Sequence, residues 1–128
     1  MSDPDAGAGL PVPLRCIPAA MLQIESHPYL TQEALIRTAQ DYGMAVTAFS
    51  PLGASSYLEI DMATQQESVL GERVIADIAQ EYGVSVAQVV LRWGLQRNTA
   101  VIPKTSKPER LKENLDLSNF ALSDAHMT

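Results

Sequence analysis

The chain has 128 residues, 46% of them hydrophobic and 19% charged, with nine Lys and Arg against fifteen Asp and Glu and a formal net charge of −6 at pH 7. That is enough apolar surface for one folded domain and too much for a disordered acidic chain. The acidic balance argues against a nucleic-acid surface, and no apolar run approaches the roughly 20 residues of a membrane span.

The start, MSDPDAGAGLPVP, is acidic and lacks a signal-peptide core, so a cytoplasmic protein is expected. Cys16 is the only cysteine, and His27 and His126 are isolated. These counts argue against an internal disulfide, a metal site and a cysteine nucleophile.

In chain order, residues 1–13 are rich in Gly, Pro, Ala and Asp and read as a flexible tail ahead of a domain over 14–128. Residues 20–25 predict a short buried strand, ended by Pro28. Thr31 is placed to cap a helix over 32–42, with Leu35, Ala39 and Tyr42 on one face and Gly43 as its left-handed stop. Residues 44–49 predict a second strand, and Ser50-Pro51-Leu52-Gly53 turns the chain out of it. Residues 54–70 read as a long loop, of the length that lids and binding loops have.

Apolar positions at helical spacing follow over 72–82, closed by Gly83. Ser85 with Gln88 then forms a capping-box pattern for a helix through Gln96, in which Trp93 reads as core. A third strand over 99–102 stops at Pro103. Ser106 with Glu109 has the S-x-x-E spacing of another capping box, and Pro108 suits the first helical turn. Ser123 is placed to cap a last helix. Strands alternating with helices at this spacing predict an α/β fold with a parallel sheet.

Charge is unevenly distributed along this layout. Between 97 and 112 the five bases Arg97, Lys104, Lys107, Arg110 and Lys112 meet only Glu109, whereas the remainder carries four bases and fourteen acids. A compact basic cluster at a helix start, where backbone N–H groups are free, suits a phosphate-sized anion. Lys104 and Arg110 offer charge-assisted donors there, and Thr105 and Ser106 offer hydroxyls.

The segments LRWGLQR and IPKTSKPER with Asn114 four residues on, preceded by QIESHPYL and AFSPLG, closely resemble the carboxy-terminal half of aldo-keto reductases, from about Ile17 onward. The resemblance implies a (β/α)8 TIM barrel that uses NADPH to reduce aldehydes, aldoses or ketones. A complete barrel typically needs about 250 residues, so a partial barrel of about three parallel strands with their helices is expected.

The resemblance also implies roles. Lys104, Thr105 and Arg110 match residues that grip the 2′-phosphate of NADPH, with Ser106 beside them, and Glu113 and Asn114 match positions that bond the adenine. Phe49 stands where the family usually has a Tyr stacked on the nicotinamide, Gln23 matches a carboxamide contact, and Ser50 and Leu52 match residues lining the pyrophosphate. His27 falls in a segment that shapes the strand end. The family's catalytic Tyr, Lys, Asp and His come from earlier barrel segments without counterparts here, so no catalytic residue is assigned. The expectation is a partial aldo-keto reductase that supplies the NADPH site. The alternatives are a non-catalytic NADPH-binding module or a half-barrel completed by another polypeptide. Uncovered strand edges would favour self-association or pairing with a front half.

Overall fold

A computed structural model describes residues 18–53 and 72–127 of the chain. The expected tail over 1–13 and loop over 54–70 lie outside the described residues. Three short apolar runs form strands β1 (Met21–Glu25), β2 (Ala45–Phe49) and β3 (Thr99–Val101). Between and after them lie helices α1 (Glu33–Asp41), α2 (Arg73–Tyr82), α3 (Val86–Gln96), α4 (Pro108–Leu115) and α5 (Asp124–Met127).

The strands pair in parallel in the order β1-β2-β3, with Met21 opposite Ala45, Glu25 opposite Phe49, and Thr47 opposite both Gln23 and Ala100. Because side chains alternate along a strand, this register puts Met21, Gln23, Glu25, Ala45, Thr47, Phe49 and Ala100 on one face. Leu22, Ile24, Val46, Ala48 and Val101 share the other, which the helices cover.

The covered face carries the core. Ile36 and Ala39 of α1 pack on Val46, with Leu22, Ile24 and Met44 around them. Val89, Val90 and Leu91 of α3 are buried. A second cluster joins Ala79 of α2, Val89 and Leu122, ringed by Ile75, Ile78, Trp93 and Phe120. The segment before α5 is strapped to α3 by the Gln96 amide, which accepts from Leu122 N–H at 2.7 Å and donates to its carbonyl at 3.0 Å.

Most of the opposite face is open to water, with Thr47 at its centre buried. Met21 is 55% exposed, Phe49 36%, and Ile102, just past β3, 48%. A parallel sheet is ordinarily covered on both faces, so this one has half of its cover among the described residues.

Helix ends follow local chemistry, with two corrections to the sequence expectations. Gly43 and Gly83 adopt the left-handed conformation expected of them, and the Ser85–Gln88 capping box closes in both directions. Thr31, however, does not cap α1. Gln32 is the N-cap, in a left-handed conformation with no side-chain cap bond. His27 and Leu30 exchange backbone hydrogen bonds of 3.1 and 2.8 Å, and this tight turn delays the helix by a residue. The buried stripe is accordingly Ile36 and Ala39, while Leu35 and Tyr42 are exposed.

Ser106 does not cap α4 either. Pro108 is the first helical residue and its ring holds the preceding residue extended, so Lys107 is the N-cap, without a side-chain cap bond. Its N–H is taken by Thr105 Oγ1 at 3.1 Å.

Gly94 lets α3 approach the sheet closely: a Cβ there would lie 2.8 Å from Val101 Cγ1. Gly94→Ala is expected to destabilise the fold by about 1–3 kcal/mol through overpacking. A lowered urea midpoint at unchanged m-value would show it.

Candidate functional site

Three segments converge at the carboxyl ends of β2 and β3. The turn after β2 is tight: Ser50 is left-handed at φ 47°, and Gly53 N–H returns to the Ser50 carbonyl at 2.9 Å. This closure brings Leu52 toward the chain leaving β3. That chain contributes Lys104 and Thr105, and α4 presents Arg110, Glu113 and Asn114 at helical spacing. The first turn of α3 adds Ser85, Val86 and Ala87. Together these nine residues line a cavity of about 250 Å³.

The cavity walls are fixed by a network between α3 and α4. Gln88 is buried; its Nε2 donates to the carbonyls of Glu113 at 3.2 Å and Asp116 at 3.0 Å, and its Oε1 accepts from Ser85 N–H at 3.0 Å. Ser85 Oγ accepts from Gln88 N–H and donates to the Glu113 carboxylate. An amide buried this way holds its neighbours firmly, because any bond it loses leaves a desolvated polar group.

Six of the ten residues singled out in the sequence therefore gather at one cavity: Leu52, Lys104, Thr105, Arg110, Glu113 and Asn114. Ser106 is exposed and lies outside its lining, and Ser50 serves in the turn that positions Leu52. Gln23 and Phe49 stand on the open sheet face. Gln23 is exposed, so it needs no buried partner.

Two features were not foreseen from sequence. Ser85, Val86 and Ala87 enter the site although they precede α4 by more than twenty residues. The capping box marked a helix start, but nothing in its spacing indicates which helix packs beside it. Arg97, grouped with the basic cluster by proximity in sequence, is directed elsewhere. Its guanidinium lies 4.2 Å from the Trp93 ring centroid and donates to the Thr31 carbonyl at 2.5 Å and to Ser26 Oγ at 3.4 Å. Burial holds its pKa below the ordinary arginine value, opposed by the charge of Glu33.

A second polar group lies at the end of β1. His27 Nε2 is 3.1 Å from Glu25 Oε1, and since a carboxylate only accepts, the proton is on Nε2. His27 Nδ1 is buried without a partner among the described residues. Two residues on, the Tyr29 hydroxyl donates to the Glu72 carboxylate at 2.6 Å, tying this turn to the start of α2. That hydrogen bond, with lesser help from desolvation and the Glu72 charge, raises the Tyr29 pKa above 10.0. Among the described residues no group of three His, Cys, Asp or Glu could hold a metal, and no single helix is long and apolar enough to cross a membrane.

Comparison with known proteins agrees with this architecture. The profile of the Aldo/keto reductase family matches residues 14–128, and the chain belongs to that family. It is 48% identical over 110 residues to the probable NAD(P)H-dependent D-xylose reductase of Neosartorya fischeri, covering 84% of this chain and 34% of that protein. It is 47% identical over 111 residues to the NADP-dependent D-sorbitol-6-phosphate dehydrogenase of Malus domestica, covering 87% and 35%. Among solved structures, the aldose reductase of Schistosoma japonicum superposes with a TM-score of 0.71 at 34% identity, covering 84% of this chain and 31% of that one. The chain thus spans about a third of the length of the curated relatives it matches, and its strands and helices form part of a TIM barrel.

Two outcomes are expected. Ser85→Ala removes a cap and should cost about 1 kcal/mol, read as a lowered thermal midpoint. In a tyrosine absorbance titration, Tyr29→Phe should remove amplitude from the high-pH side of the curve.

Proposed function

We propose that this chain forms the NADP(H)-binding part of an aldo-keto reductase whose complete barrel reduces the carbonyl of an aldehyde, aldose or ketone. The observation that carries this is the convergence of Lys104, Thr105, Arg110 and Asn114 on one cavity. Two cationic side chains and a hydroxyl make a donor set suited to a phosphate monoester, and an amide can both donate to and accept from an adenine edge.

In this reading Lys104, Thr105 and Arg110 hold the 2′-phosphate, and Asn114 meets the adenine. The Glu113 carboxylate, held by Ser85, borders the same group. Leu52 and Ser50 line the path of the pyrophosphate toward the sheet, where the Phe49 ring offers a flat surface for the nicotinamide and Gln23 a carboxamide partner. When bound, NADPH supplies the hydride. We assign the proton donor to another part of the barrel; of the described tyrosines, Tyr29 is bonded to Glu72 and the Tyr82 hydroxyl to His126 Nδ1 at 3.0 Å. No catalytic residue is assigned to this chain, so on its own it is not expected to turn over substrate. The names of the relatives, NAD(P)H-dependent and NADP-dependent, support the cofactor class.

A second reading is favoured by the open surface. Besides Met21, Phe49 and Ile102, α4 leaves Leu111 57% and Leu115 85% exposed, beside a groove of about 570 Å³ along β3. Such a surface suits a module that holds the cofactor and docks the remaining strands of a barrel, whether these belong to the same polypeptide or another.

Titration with NADPH and NADH tests the site. NADPH should bind the more tightly, and Lys104→Glu should weaken it about a hundredfold while leaving NADH nearly unchanged. Equal affinity for the two dinucleotides would contradict the assignment.

A further inference from the structure

The pair Glu25–His27 has no part in the cofactor contacts described above, yet its placement is specific. Glu25 lies on the open face of β1, two residues beyond Gln23, and its register partner on β2 is Phe49. Neighbouring strands run about 4.8 Å apart, so the Glu25 and Phe49 side chains rise next to each other at the carboxyl end of the sheet. Ligands of parallel barrels occupy that end.

Glu25 is also held in place. His27, whose side chain is 10% exposed against 27% for Glu25, donates its Nε2–H to the carboxylate at 3.1 Å. No other polar contact of the ring occurs among the described residues, since Nδ1 is buried without a partner. The turn carrying the ring is closed by two backbone bonds between His27 and Leu30, and Gln32 Nε2 donates to the Glu25 carbonyl at 3.2 Å. A buried imidazole thus gives its one satisfied hydrogen bond to a carboxylate on the ligand side of the sheet.

We infer that Glu25, positioned by His27, sets the relative affinity of the site for oxidised and reduced cofactor. The inference rests on the proposal that the nicotinamide lies against Phe49. The two cofactor forms differ by one hydride, which leaves the oxidised ring with one positive charge and the reduced ring neutral. The adenosine and phosphate portions are the same in both. A carboxylate beside the ring therefore attracts the oxidised form and is nearly indifferent to the reduced one. Glu25 is a discriminating contact in this account, and His27 is a positioning residue.

The test is to titrate the full chain with NADP+, NADPH and adenosine 2′,5′-bisphosphate, which lacks the nicotinamide. Glu25→Gln keeps the shape and removes the charge; it should weaken NADP+ about tenfold relative to NADPH and leave the bisphosphate unchanged. His27→Phe should shift the ratio the same way by less, and His27→Gln, which retains a donor, should restore most of it. Glu25→Gln overturns the inference if it leaves the NADP+ to NADPH ratio unaltered, or if it weakens the bisphosphate as much as NADP+. A wild-type chain that binds none of the three overturns the cofactor assignment itself, and this inference with it. Unaltered ratio with all three bound would leave that assignment standing and remove only the role of Glu25.

Discussion

The site depends most on the buried amide of Gln88. It joins the start of α3 to the end of α4 by donating to two carbonyls, of Glu113 and Asp116, while accepting from the Ser85 N–H in its own first turn. One side chain thereby satisfies orphan groups at a helix start and at a helix end, where each would otherwise need a cap or water. The consequence is positional. Ser85, Val86 and Ala87 become one wall of the cavity, Arg110, Glu113 and Asn114 another, and the exit of β3 lies between them. Without that tie the basic residues after β3 would share a stretch of sequence and no defined space.

The second constraint is the sheet. Three parallel strands place the functional segments at one end, since each strand delivers its following loop to the same side. The helices then bury one face and leave the other to water. The chain belongs to the aldo/keto reductase family and spans about a third of its curated relatives, and the open face carrying Met21, Gln23, Glu25 and Phe49 is the face a barrel turns inward. The residues proposed to contact the cofactor therefore divide into two groups by environment. Those around the cavity are assembled by contacts within this chain, and those on the sheet look toward what the rest of a barrel would enclose.

Much of this was legible in the sequence because it is written in local chemistry. Short apolar runs broken by proline gave the strands, glycines at 43 and 83 gave the helix stops, and Ser85 with Gln88 gave a capping box that the structure closes. Where the sequence misled, a stronger local constraint prevailed. Pro108 fixed its own helix start and displaced Ser106 from the cap, and the turn at 27–30 displaced Thr31. Tertiary placement was legible least. Arg97 shares a basic stretch with Lys104 but packs on Trp93 some distance along the fold, and Ser85 reaches Glu113 across twenty-eight positions. Spacing along a chain records helix faces and turns; it does not record which helix ends meet.

The most direct test of the account is a ¹H–¹⁵N correlation spectrum of the chain, recorded as adenosine 2′,5′-bisphosphate is added. Resonances of Leu52, Ser85, Lys104, Thr105, Arg110 and Asn114 should move together along one saturating curve, while those of α1 stay in place. Shifts scattered over the surface, or confined to segments away from the α3–α4 junction, would contradict the claim that this junction builds a phosphate-recognising cofactor site.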